Sequence, residues 1–400
     1  MEPQAAPQPP HDGQALQYIE PAMQRYVDDG MLSGMVTLVA HRGDIVHLEA
    51  VGYQDREAQT PMPTDAVFRL ASMTKPIVST VVLMLHDEGR FELDDPVSEY
   101  LPAFAEVVAF AGGTAASGVQ LEALTRPVTI RDLLTHSSGI ASSMFGNTPV
   151  NAQYRDVRPL RSESLEEVVG KLTGLPLQHQ PGAAWTYGLS TDVLAHLIEV
   201  VTGHDLRHVL QTRIFEPLGM VDTDYIVEAD AIDRFTTLYT HDAEGTLQRL
   251  RGPAESGFAE RPAYFRGNAG LVSTALDYVR FAQMILNDGA LNGVRILQAE
   301  TAKQMRANHL TPSQLPMQLG PINFAGQGFG LGFGVVMDPE AAGLPFGEGT
   351  VWWVGSTDTY FWIDPANDVV GILMTQLADM EVHPFYPEFA QLVYAALDQE

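Results

Sequence analysis

Apolar positions recur at helical spacing from Leu16 to Asp29 (Leu16, Ile19, Met23, Tyr26, Val27), which predicts an amphipathic helix. The segment GMVTLVAHRGDIVHLEAVGYQD then predicts two strands, Met35–Ala40 and Ile45–Val51, around a turn at Arg42-Gly43-Asp44. A short strand over Ala66–Leu70 leads into a stretch that is apolar nearly all round (Ile77, Val78, Val81, Val82, Leu83, Met84, Leu85). Such a helix is buried on most faces, and Gly89 ends it. Between about 95 and 260 the pattern is loop-rich, with helices near Ile130–Leu134, Leu165–Leu172, Thr191–Thr202 and Leu206–Ile214 and no clear alternating strand. A helix over Ala275–Asn287 precedes four strand-like stretches, GFGLGFGVVMDP, TVWWVG, TYFWIDP and VVGILMTQ, and a closing helix in HPFYPEFAQLVYAAL.

Strands near both chain ends with helices between them predict an α+β fold: an antiparallel β-sheet flanked by helices, with a mainly helical second lobe. The expected division is a flexible tail over 1–14, a sheet domain from 15–95 and 265–400, and a mainly helical domain over 96–264. At 400 residues, with 45% hydrophobic and 18% charged positions, the chain can bury a large core. Charge changes the picture. Lys and Arg number 23 against 50 Asp and Glu, a net charge of −27. That speaks against nucleic acid and anionic membranes as partners, both of which need basic patches. There is no cysteine, hence no disulfide, thiol nucleophile or cysteine metal site. The N-terminal MEPQAAPQPPHDGQ lacks the basic and apolar regions of a signal peptide, and no apolar run is long enough to span a membrane, so a cytoplasmic location is expected.

The candidate chemistry lies in FRLASMTKP, where Ser72 and Lys75 stand three apart at the mouth of the apolar helix. Residues so spaced on a helix are neighbours, about 5–6 Å between Cβ atoms. A serine hydroxyl needs a base to become a nucleophile. A lysine serves as that base only when uncharged, a form favoured by apolar surroundings or nearby positive charge. The helix N-terminus adds partial positive charge that also favours a developing oxyanion. Pro76 reads as setting the turn geometry. The bland alternative is Ser72 as a helix cap and Lys75 as a solvated first-turn residue.

Further elements along the chain lift the first reading. Together with Ser72-Met73-Thr74-Lys75, the stretches LLTHSSGI (Leu133–Ile140), WTYGLSTDVLAHLIEVVTG (Trp185–Gly203), AGLVSTALDYVRFAQMILNDG (Ala269–Gly289) and YFWIDP (Tyr360–Pro365) resemble the serine β-lactamase and penicillin-binding-protein superfamily. The likeness is to the class C-like branch, with family VIII carboxylesterases nearest, and spans about residues 15–395. It implies Ser72 as nucleophile, Lys75 as its proton-handling partner, Tyr187 as second base and acid, and an oxyanion hole from the backbone N–H groups of Ser72 and Ser356. It also places Leu189, Trp353 and Gly355 at substrate-binding positions. Where β-lactamases carry Asn the chain has Leu189, and where they carry Lys it has Trp353, so polar recognition of penicillins and peptides is lost.

The expectation is therefore a serine carboxylesterase acting on apolar short-to-medium acyl esters, without cofactor or metal. β-Lactamase, D-amino-acid peptidase or amidase and acyltransferase are the alternatives, with a non-catalytic binding relative behind them. Met144, Phe145, Tyr154, Phe265, Trp352 and Trp353 are candidates for an acyl pocket. His136 reads as a structural histidine that bonds backbone rather than as a triad base. No G-x-S-x-G exists. The alternating Gly328, Gly330, Gly332 and Gly334 read as a closely packed strand and not a phosphate loop.

Overall fold

A computed structural model describes residues 15–114, 118–379 and 383–397. The predicted tail over 1–14 lies outside the described residues. The architecture is α+β. Eight strands form one sheet in the order 327–329, 334–336, 351–354, 359–364, 369–375, 34–41, 44–55, 60–61, with every neighbouring pair antiparallel. The strand Gly34–His41 lies at its heart, paired on one side with Val369–Thr375 (Met35 opposite Thr375) and on the other with Asp44–Asp55. It is buried along nearly its whole length because both faces of the sheet are covered.

Alternation divides its side chains. Val36 and Leu38 join Phe361, Ile363, Ile372 and Met374 in the larger core, under the helices Thr74–Asp87 and Ala275–Leu286. Met35 and Val39 face the other way, into a smaller core with Trp362, Leu373, Ile19, Phe389 and Val393 of the helices Ile19–Asp28 and Phe385–Leu397. Ile77, Val78, Val81, Val82, Leu83 and Leu85 are fully buried, and burying each such side chain is worth about 1.5–3 kcal/mol before entropy is counted. That burial anchors the helix whose first turn follows Ser72.

Helices predicted between 95 and 260 are present as Ile130–Leu134, Leu165–Thr173 and Ser190–Thr202. The fourth is α-helical only over Leu206–Leu210 and continues as a π-turn, Gln211–Phe215. The absence of strands there is corrected: hairpins form from Val108–Thr114 with Gly118–Ala123 and from Leu238–His241 with Leu247–Arg251. The first is largely exposed and broken by Gly112 and Gly113, and the second pairs a short buried or half-buried strand with a mostly exposed one, so neither carries a clean apolar alternation. The strand predicted over Ala66–Leu70 shrinks to Phe68–Arg69, paired with Val272–Ser273. The glycine run packs as closely as expected: a Cβ on Gly332 would stand 2.6 Å from Ser79 Oγ, and one on Gly330 2.3 Å from Met305 O. The run is split by a bend between the strands Gln327–Phe329 and Gly334–Val336.

Candidate active site

Ser72 sits in a single 3-10 turn, Ala71–Met73, that runs into the helix Thr74–Asp87. The turn is entered through Ala71, whose φ of 44° is left-handed; for a residue with a Cβ this costs about 1–3 kcal/mol. The bend is held from the sheet. Thr357 Oγ1 donates to Arg69 O at 2.8 Å and Thr359 Oγ1 to Leu70 O at 3.2 Å. A Cβ on Gly355 would stand 2.4 Å from Leu70 O, so only glycine lets the two backbones meet. Ser356 follows in that turn, and its backbone N–H donates to no acceptor among the described residues. Pro76 is the third residue of the helix, where a first-turn N–H has no intrahelical partner to lose.

Lys75 is only 4% exposed. Its Nζ lies 3.0 Å from Ser72 Oγ and 2.9 Å from Asn268 O. The same nitrogen stands 4.7 Å from the centroid of the Tyr187 ring. The Tyr187 hydroxyl is turned elsewhere and accepts from Trp353 Nε1 at 3.3 Å. An indole N–H can only donate, so the phenol oxygen is the acceptor in this pair.

Tyr187 is fixed from below by the turn after Leu134. Thr186 N donates to His136 O, Leu189 N to Ala141 O, and the Ser138 and Ser190 hydroxyls share a hydrogen bond of 3.0 Å. A Cβ on Gly188 would fall 2.1 Å from Ile140 O. The LLTHSSGI stretch is thus the bed on which Tyr187 lies. His136, with φ of 55°, holds its ring 4.8 Å from that of Tyr187 and tilted to it, and its Nδ1 has no partner among the described residues. The expected backbone bond from the ring is replaced by aromatic packing against Trp185, Tyr187 and Phe329. Burial, with the Lys75 charge nearby, pushes the His136 imidazole down to about 3, so it stays neutral at physiological pH.

Of the six acyl-pocket candidates, Phe145 and Trp353 reach Tyr187, at 5.7 and 5.2 Å between ring centroids. Phe329, unremarked in the sequence, is fully buried and backs Trp353 from the core at 5.2 Å. Trp352 is corrected: as the neighbour of Trp353 in a strand it faces the smaller core, beside Phe324 and Tyr360. Met144 is largely exposed, Tyr154 is fully buried, and Phe265 packs on Tyr225. Leu189 is buried in the larger core, with no polar group of its own to offer.

One residue the sequence reading passed over is central. Asp192, fully buried in the first turn of the helix Ser190–Thr202, accepts from Gly267 N at 3.1 Å and Asn268 N at 3.3 Å. Asn268 O is the carbonyl that receives Lys75. A Cβ on Gly267 would fall 2.1 Å from Thr191 O, so this loop lies tight on the helix. The other Asp192 oxygen, Oδ2, and Asn268 Oδ1 have no partner among the described residues. Burial pushes the Asp192 carboxyl up to about 6, opposed by the Lys75 charge. The available signal was an acid in the first turn of a helix, directly before the apolar Val193-Leu194-Ala195.

This arrangement, on this sheet, defines a serine hydrolase of the β-lactamase fold. The chain belongs to the beta-lactamase family, whose profile matches residues 19–395. Esterase EstB of Burkholderia gladioli is 34% identical over 370 residues, covering 87% of this chain and 86% of its own. Lovastatin esterase of Penicillium rubens is 29% identical, covering 88% and 91%. Among solved structures, EstCE1, described as a hydrolase with promiscuous acyltransferase activity, superposes with a TM-score of 0.81 at 28% identity, covering 96% of this chain and 99% of its own.

Proposed function

We propose that the protein is a carboxylesterase of the family VIII kind, cleaving esters of apolar short-to-medium acyl chains through a covalent intermediate on Ser72. The observation that carries this is the buried Lys75 amine 3.0 Å from the Ser72 hydroxyl. In the proposed cycle, the neutral form of Lys75 is the one that takes the hydroxyl proton as Oγ bonds to the ester carbon. The carbonyl oxygen gathers negative charge between the N–H groups of Ser72 and Ser356; removing one such donor typically slows a reaction about 10²–10³-fold. Collapse breaks the bond to the alcohol oxygen, which receives a proton from Tyr187 or Lys75. Water then attacks the acyl-enzyme, the same groups handle its proton, and acid leaves.

The aromatic wall of Tyr187, Trp353 and Phe145, without a lysine at the third motif, favours apolar acyl groups over lactam carboxylates. The esterase relatives support the class of reaction. A fluorophosphonate probe should modify Ser72, as mass spectrometry reads it; an adduct on another residue rejects the scheme. p-Nitrophenyl esters of two to twelve carbons should be turned over well above nitrocefin, and equal efficiency on both would remove the preference for esters. The name of EstCE1 favours a second outcome of the same intermediate, transfer to an added alcohol, which product analysis separates from hydrolysis.

A further inference from the structure

A cavity of about 450 Å³ is bordered by Ala71, one residue before Ser72, and Thr357, one residue after Ser356. Its lining is out of character for a chain of net charge −27. Three arginines, Arg69, Arg251 and Arg266, border it against one carboxylate, Glu260. Arg69 is only 5% exposed. Its Nη1 donates to Thr236 O at 2.7 Å and to Gln376 Oε1 at 3.1 Å, and its guanidinium carbon lies 4.1 Å from the centroid of Phe235. These contacts tie the strand Phe68–Arg69 to its surroundings, but none neutralises the charge. Nη2 has no partner.

Neither Arg69, Arg251 nor Arg266 forms an ion pair with a carboxylate among the described residues, whereas Arg249 and Arg261 close by are paired with Glu255 and Asp205. Burial first, and then the proximity of Arg251, lower the Arg69 guanidinium to about 9. A purely structural role accounts for Nη1. It does not account for an unneutralised buried cation with two more facing the same space, an arrangement that costs free energy until an anion enters.

We propose that this cavity receives a carboxylate carried by the ester that Ser72 cleaves. The inference rests on the esterase reading above and deepens it: one half of the substrate is apolar and lies on the aromatic wall, and the other ends in a carboxylate held by the arginines. A guanidinium offers two parallel N–H donors to a carboxylate, the geometry that gives such pairs their strength. Phe258, half-buried with its ring centroid 5.6 Å from the Arg69 guanidinium, borders the same cavity and covers that cation from a second side.

Three esters of matched length test this: neutral butyl hexanoate, monobutyl adipate with the carboxylate in the acyl half, and 6-(butanoyloxy)hexanoate with it in the alcohol half. One of the two anionic esters should exceed the neutral one in kcat/KM by about tenfold or more, the scale of one well-made charged contact. Salt should erode that ratio. Arg69→Gln should collapse it, and so should the double variant Arg251→Ala/Arg266→Ala, whose exposed positions keep the fold intact if Arg69→Gln does not fold. Calorimetric titration of the favoured anionic ester into Ser72→Ala reads the cavity independently of turnover. Equal efficiency on all three esters, or a preference the arginine variants leave intact, overturns the proposal. Tight anionic binding to Ser72→Ala with no turnover by the unaltered enzyme would instead remove the esterase reading and leave the anion site standing.

Discussion

Gly188 shows how little freedom the site allows. Any side chain there would be driven into the Ile140 and Ala141 carbonyls that seat Tyr187. Gly188→Ala should therefore lower stability by on the order of 2–4 kcal/mol, read from the urea midpoint, and a midpoint within experimental error of the unaltered protein would show that the seat can yield. Tyr187 itself should be separable from the fold. Tyr187→Phe keeps the ring over Lys75 but removes the proton, and kcat should fall by about 10²-fold or more, in the range of a lost general acid. Unchanged turnover would remove Tyr187 from the chemistry. The Ser72–Lys75 pair was legible from the chain alone because a helix brings residues three apart together regardless of tertiary context. Asp192 was not, because its partners are backbone N–H groups 75 and 76 residues away, and no local pattern reports those.

A strand sends adjacent side chains to opposite faces, and Trp352 and Trp353 make that a functional distinction. Trp353→Phe keeps aromatic bulk but removes the N–H on Tyr187 Oη. A lost neutral hydrogen bond of about 1 kcal/mol corresponds to roughly a fivefold fall in kcat. Trp352→Phe, in the smaller core, should change kcat less than about twofold while costing up to about 1.5 kcal/mol of stability. If both variants lose activity equally, the indole N–H is not what matters. Elements with strong signatures were readable: the strands near the termini, the apolar helix, and Ile130–Leu134 with its Thr129 capping box. The two hairpins between 95 and 260 were hidden because the first exposes most of its side chains and the second buries one strand and exposes the other, so neither alternates. The bed under Tyr187 was recognisable as a recurring sequence element, but its purpose became visible only when Gly188 and Ala141 met.

Across the whole molecule, buried carboxyls set the response to pH. Asp192 and Asp277 are both pushed up to about 6, chiefly by burial, from an ordinary value of 3.8. A carboxyl raised in the fold binds its proton more tightly folded than unfolded. Its stabilising contribution is full below about 4 and is lost as pH rises to about 6. For a fully buried Asp192 this is on the order of 3 kcal/mol. Asp192→Asn keeps an acceptor for Gly267 and Asn268 but cannot ionise, so its urea midpoint should fall less steeply between pH 4 and 6 than that of the unaltered protein. Parallel curves would show that Asp192 does not titrate there. Carboxylates held low by arginine, such as Asp94 with Arg131, act oppositely and lose their contribution in acid.

The central strand pair carries a different consequence. Thr375 Oγ1 closes on Gly34 O across 341 residues of chain. At roughly 5–20 residues per second, translation leaves the first of these strands waiting on the order of half a minute for its mate. Nascent chains arrested before Val369 should stay protease-sensitive and chaperone-bound, and cells short of chaperones should accumulate this protein as aggregate before they lose its activity.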